Sequence, residues 1–304
     1  MSKIAFVFAG QGAQTVGMGQ DLYENFEVAK ELYDMSLEIR DLCFSGPKEK
    51  LDITVNTQAA VFITDLVCAT ILCGKGIKAD GVAGFSLGEI AAACYAGLME
   101  QEQAFNFVKH RAEAMHKCTL SEKGSMFAVL KLSNEKVKEI CRTLTGAFPV
   151  NYNSPGQIVV ACADETIENL QKAVFENGGR LIQLSVSGAF HSPLMDAASE
   201  SVAAYLESEV FGTMQIPLYS NTTAQTYDNS NMNPNELLAK HVNHPVLWQK
   251  LIENMIDDAY DTFIEVGPGK TLIGLIKKIN PDVHLYNVSD IISLDKTIEE
   301  LKNA

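Results

Sequence analysis

The sequence predicts an α/β fold that carries a second, smaller α/β unit inserted within it. Three observations point there. At both ends of the chain, apolar runs ending in glycine alternate with helical patterns, the order of a parallel sheet covered on both faces. In the middle, from about Lys123 to Ser187, the order becomes β-α-β-β-α-β, that of a split-βαβ, ferredoxin-like unit. The 304 residues, 47% of them hydrophobic, suffice for one large core or two unequal ones. The predicted division is 1–122 with 188–304 for the larger part and 123–187 for the smaller.

The elements follow in order. "KIAFVFAG" is a continuous apolar run and reads as a buried parallel strand. The "GQGAQTVGMG" after it fails the dinucleotide fingerprint, because Thr15 stands where the third glycine belongs. It fails the P-loop pattern too, because Met18 follows Gly17 where lysine is required. Its glycines either bring backbone close to a ligand other than a diphosphate or make a plain turn. Helical patterns span 21–40 and 57–72. "ADGVAGFS" is a short strand running into a turn, and helices follow over 87–96 and 100–118. Within the middle segment "SMFAVLKL", "PVNYNS", "QIVVACA" and "RLIQLSV" read as strands, while "NEKVKEICRTL" and "ETIENLQKAVFENGG" read as helices. Beyond it, "IPLYSNTT" and "DTFIEVGPG" resume the sheet. Repeats and low-complexity tracts are absent.

Composition excludes several functions. A net charge of -14 argues against a nucleic-acid or anionic-membrane surface. The seven cysteines form neither a CxxC pair nor a zinc-spaced cluster, so they read as reduced, buried thiols of a cytoplasmic protein. A catalytic cysteine is the lesser alternative. The apolar run 4–9 is too short for a signal sequence. The stretch 59–73 is interrupted by Asp65 and too short to span a bilayer.

"GFSLG", Gly84 to Gly88, matches G-x-S-x-G between a predicted strand and a predicted helix. Such a turn projects Ser86 as a nucleophile and offers helix N-terminal N–H groups to an oxyanion. The competing reading is a surface loop that contains a serine. A nucleophilic serine needs a base. Of the six histidines, His110 and His116 lie among charged neighbours, and His284 sits in an apolar strand. His191, in "SVSGAFHSPLMDAA", and His244, in "VNHPVLW", are the two contenders. Arg111 shares a helical stripe with Ala104, Val108 and Met115. A guanidinium on an apolar stripe needs an anion, either a protein carboxylate or a substrate carboxylate held in a two-pronged hydrogen bond.

Taken together, "FAGQGAQ", "GFSLGE", "KHRAEAM", "NYNSPGQIVVA", "SGAFHSPLM", "SNTTA", "PVLW" and "FIEVGPGKTL" resemble the malonyl-CoA:acyl carrier protein transacylases, within the acyltransferase family of fatty-acid and polyketide synthesis. The resemblance covers nearly the whole chain. It implies an α/β-hydrolase-like core carrying the ferredoxin-like insert. It also implies that Ser86 is acylated, that His191 is the base, and that Gln11 and Leu87 give backbone N–H groups to the oxyanion hole. Arg111 would bind the malonyl carboxylate, and Met115, Phe190 and Asn153 would line the substrate site. Phe190 would crowd an α-methyl branch. A backbone carbonyl near P-V-x-W, that of Leu247, would orient His191.

The implied reaction takes malonyl from malonyl-CoA to the phosphopantetheine thiol of acyl carrier protein. No cofactor or metal is implied, and the protein would be a cytoplasmic monomer with no nucleic-acid or membrane partner. The sequence departs from the family at Phe85, where many relatives have His, at the apolar Leu247, and at His244, to which no role is assigned. The competing functions are a serine hydrolase or thioesterase, a discrete acyltransferase serving a polyketide synthase, and a non-catalytic docking protein that keeps the fold.

Overall fold

A computed structural model describes residues 2–303. The chain forms two compact units. The first comprises the stretch up to Lys109, Val210–Tyr219, and the stretch from Met255 onward; the second comprises His110–Glu209 and Ser220–Asn254. In chain order the strands are β1 (Lys3–Phe8), β2 (Gly81–Gly84), β3 (Gly124–Leu130), β4 (Ala147–Ser154), β5 (Gln157–Ala163), β6 (Arg180–Gln183), β7 (Leu218–Tyr219), β8 (Tyr260–Val266) and β9 (His284–Val288).

The first unit holds a parallel sheet in the order β7-β2-β1-β8-β9. The inner end of β1 is buried residue after residue, which explains its unbroken apolar run. Register aligns the strand ends: Phe8 lies opposite both Gly84 and Val266, and Val266 lies opposite Val288. The turns after β1, β2, β8 and β9 therefore emerge at one carboxyl edge, where α/β sheets bind ligands. Two expectations are corrected. The "IPLYSNTT" segment contributes only the two residues of β7. The helix expected over 21–40 is three helices, Gln20–Asn25, Glu27–Tyr33 and Leu37–Ser45. Phe26 ends the first of these in an extended conformation (φ -129°, ψ 128°), and Ser36 opens the third likewise.

The helix Thr54–Gly74 runs beyond the expected 57–72, and its 21 residues are long and apolar enough to cross a membrane. It is nonetheless a core helix, with 83% of its most apolar stretch buried inside the protein.

The second unit contains an antiparallel sheet in the order β4-β5-β3-β6. Helices Asn134–Arg142 and Ile167–Glu176 supply the two α elements of the βαββαβ order. Val137, Ile140, Leu170 and Val174 from these helices pack with Phe127, Val129, Ile158 and Val160 from the sheet. The unit takes in more chain than 123–187, adding 110–122, 188–209 and 220–254. Backbone bonds account for part of this: Val246 N–H donates to Val150 and Tyr152 N–H to Val246, so the 240s extend the β4 edge.

Candidate active site

In the first unit the chain leaves β2 at Gly84 and reverses into the helix Gly88–Tyr95. Ser86 stands at the apex with φ 51°, a left-handed conformation that a non-glycine residue adopts only under constraint. The constraint comes from its neighbours. A Cβ on Gly84 would overlap the backbone of Gly88 and Glu89, and one on Gly88 would overlap the carbonyl oxygens of Phe8 and Ala9. Hydrogen bonds Phe85 N to Phe8 O (3.0 Å), Gly88 N to Phe85 O (3.0 Å) and Glu89 N to Ser86 O (2.9 Å) close the turn. Ser86 is thus held half-exposed on a strained strand-to-helix elbow.

The turn after β1 packs against this elbow. Gly10 lies so close to the Phe85 carbonyl that a Cβ there would overlap it. The side chain of the next residue, Gln11, is clamped by two long hydrogen bonds to the Thr54–Gly74 helix, donating to Thr54 Oγ1 (3.4 Å) and accepting from Gln58 Nε2 (3.4 Å). Leu87 is the residue that caps the helix after Ser86, where N–H groups have no intrahelical acceptor. Ser86, Gln11 and Leu87 therefore share one edge of one sheet.

In the second unit His191 is buried and also left-handed, with φ 60°. Two hydrogen bonds fix it against the end of helix Pro234–Lys240: its N–H meets Val242 O (3.2 Å) and its Nδ1 meets His241 O (2.9 Å). An Nδ1–H bonded to a carbonyl leaves Nε2 with the lone pair of a neutral imidazole. Burial and the positive charge of Arg111 push the imidazole down to about 3, against the backbone carbonyls of His241 and His244.

The orienting carbonyl expected at Leu247 is a correction: it belongs to His241. Leu247 O accepts from Leu251 N (2.9 Å) in the first turn of helix Trp248–Asp257, so it is committed to that helix. His241 caps the C-terminal end of its helix, where the last carbonyls have no intrahelical donors. The ring of His244, the other contender, lies 2.7 Å from Asn243 Oδ1, while its backbone carbonyl favours a proton on His191.

Arg111 and Met115 sit one turn apart on helix Gln101–Ser121 and are fully and almost fully buried. Phe190 adjoins His191 and is buried. Asn153 lies near the end of β4 with its side-chain oxygen buried and without a hydrogen-bond donor among the described residues. The second unit thus holds a neutral imidazole, a buried guanidinium whose charge acts on it, two buried apolar side chains and an amide oxygen without a donor among the described residues.

The acyl transferase domain family matches residues 5–292. The chain belongs to this acyl transferase family. It is 35% identical to the malonyl CoA-acyl carrier protein transacylase of Bacillus subtilis (strain 168), over 99% of this chain and 98% of that protein. Its fold is similar to that of the malonyl CoA-acyl carrier protein transacylase from Clostridium perfringens, with a TM-score of 0.95 and 38% identity over 99% of this chain and 98% of that one. It is also similar to a malonyl-transacylase solved in complex with its type II PKS acyl-carrier protein, with a TM-score of 0.92 and 30% identity over 98% and 100% of the two chains.

For an acyl transferase, the remaining chemistry is informative. Among the described residues no group of three or more His, Cys, Asp or Glu side chains is placed to hold a metal ion. Burial pushes the thiols of Cys43, Cys94 and Cys141 up to about 12 and that of Cys162 to about 11, which disfavours a thiolate nucleophile. The residue that sequence reasoning missed is His241. Its signal was available in the end of a helix at "ELLAKH", 50 positions beyond His191, but a carbonyl bears no side-chain mark.

Proposed function

We propose that this acyl transferase moves malonyl from malonyl-CoA to the phosphopantetheine thiol of an acyl carrier protein of fatty-acid synthesis, through an ester on Ser86. The observation that carries this is the left-handed Ser86, clenched between two glycines that tolerate no Cβ, in a chain of this family. His191 takes the proton of Ser86 Oγ on Nε2 while Oγ attacks the thioester carbonyl. The oxyanion forms against the N–H groups of Gln11 and Leu87, each worth about 3–4 kcal/mol in comparable sites. The C–S bond breaks, the imidazolium protonates the leaving sulfur, and CoA departs. The carrier thiol then gives its proton to His191 and attacks the ester, and Ser86 regains its hydrogen as the C–O bond breaks.

Arg111 has two roles in this reaction. Its guanidinium pairs with the malonyl carboxylate, and that pairing offsets the positive charge that depresses His191. The carboxylate of the substrate thereby makes the base more basic. Met115 and Phe190 give the pocket apolar walls, and the oxygen of Asn153 accepts from an N–H of the substrate arm. The test is steady-state transfer from malonyl-CoA to a bacterial holo acyl carrier protein. Malonyl-carrier product with ping-pong kinetics is expected. Free malonate as the sole product would overturn the proposal in favour of a hydrolase.

A further inference from the structure

The Thr54–Gly74 helix is almost wholly apolar toward the core, yet it buries a carboxyl group, Asp65, at 0% exposure. A second carboxyl, Glu265 on β8, is also fully buried. The groups facing Asp65 are Glu265, Tyr33 and Cys68, none of them a cation; Asp21 and Asp290 also act on Cys68. Glu265 Oε2 accepts from Ile273 N (2.9 Å) at the start of helix Thr271–Ile279, with the N–H groups of Leu272 and Thr271 acting alongside. Glu265 Oε1 makes no hydrogen bond among the described residues, and Asp65 has only the Ala9 N–H acting on it, an N–H already donated to Val266 O. Two carboxylates this deep, with no cation facing them, do not readily both ionise.

The location of Asp65 gives the pair a role. Its Oδ1 lies against Gly267, so tightly that a Cβ there would overlap it, and the same Cβ would touch Ala9 Cβ at 3.0 Å. Ala9 N donates to Val266 O (3.2 Å), binding the turn after β1 to the turn after β8 above the carboxyl. Gln11 is two residues beyond Ala9. Thr54, Gln58 and Asp65 follow one face of the helix at spacings of four and seven, so the face that clamps the Gln11 side chain also supports its turn from below.

We propose that Asp65, buried beneath the turns that end β1 and β8, is a positioning residue for the loop that carries Gln11. This rests on the assignment of Gln11 to the oxyanion hole. An uncharged Asp65 keeps both turns seated, and loss of its proton places two negative charges under them. Burial is the first cause that favours the protonated form of each, and for Asp65 the charge of Glu265 is the second.

The test compares wild type, Asp65→Asn and Asp65→Leu in malonyl transfer to holo carrier protein from about pH 5 to about pH 9, with melting curves at each pH. Asparagine keeps the shape and neutrality of a protonated aspartate; leucine does not. Asp65→Leu is expected to lower kcat about tenfold, with KM changing less than about twofold, as a displaced oxyanion donor would. Asp65→Asn is expected to restore kcat to within about threefold and to remove the alkaline fall of the wild type. If Asp65→Asn falls as far as Asp65→Leu, if the loss appears in KM, or if its alkaline limb matches the wild type, the positioning role is overturned. Should Asp65→Leu not fold, the alkaline limb of Asp65→Asn still decides. A wild type that transfers no malonyl group would overturn the functional assignment, and this role with it. A wild type that transfers it normally while Asp65→Asn fails would overturn this role alone.

Discussion

The first unit buries acids and the second buries bases. In the first, Asp65 and Glu265 lie among apolar and weakly acidic groups, and both hold their protons more tightly than an exposed carboxyl does, Glu265 up to about 7. In the second, His191 and His241 lie near the charge of Arg111, and both hold theirs more weakly, His191 down to about 3. Desolvation is the largest cause in every case, and it favours the neutral form whichever sign the charge has. The difference lies in what neutrality achieves. A neutral carboxyl can seat a turn, whereas a neutral imidazole can accept a proton. The scaffold of the nucleophile and the base are thus kept uncharged by one physical effect for two purposes.

The largest expected effect breaks the second half of this comparison. His191→Ala should slow acylation by about 100- to 10,000-fold, read as the single-turnover rate of ester formation, with the melting temperature retained. A loss below about tenfold would remove His191 from the role of base. Arg111→Ala follows: malonyl transfer should fall by about 2–5 kcal/mol in kcat/KM, while acetyl transfer should hold or rise because an acetyl group brings no carboxylate for the guanidinium to bind. A parallel fall in both rates, with a lower melting temperature, would mean that Arg111 serves the fold alone.

The pH dependence of stability sharpens the contrast. The raised carboxyls stabilise the fold fully below about pH 4, and that contribution is lost as pH rises through their raised values, about 7 for Glu265. The depressed imidazoles act oppositely: the fold is unburdened above about pH 6.5 and loses stability as pH falls toward about 3, where His191 protonates. Melting temperatures should therefore peak at weakly acidic pH. Asp65→Asn should flatten the alkaline side only, and His191→Ala the acid side only. The smallest effect is expected at Leu247. Its carbonyl is spent on its own helix, so Leu247→Ala should change kcat by less than about threefold. A loss near that of His191→Ala would restore Leu247 as the orienting residue.

These regions also differ in how well the sequence revealed them. The elbow was legible because its constraint is a residue type: Gly84 and Gly88 are glycines since nothing else fits, and the strand before them is an unbroken apolar run. The ferredoxin-like order was legible from alternating strands and two strongly amphipathic helices. The orientation of His191 was not, because it depends on where a distant helix ends and which of its carbonyls stays free. Asp65 was visible only as an interruption in an apolar run, since its partner Glu265 lies two hundred positions away. The break at Phe26 was hidden because Phe, unlike Gly or Pro, does not by itself mark the end of a helix.

The most direct measurement is peptide mass mapping of the wild-type protein quenched in acid within one turnover of mixing with malonyl-CoA. A malonyl ester on the peptide bearing Ser86, discharged by holo acyl carrier protein and absent from Ser86→Ala, is the expected result. A malonyl group on a cysteine peptide, or its undiminished appearance in Ser86→Ala, would contradict the assignment of Ser86 as nucleophile.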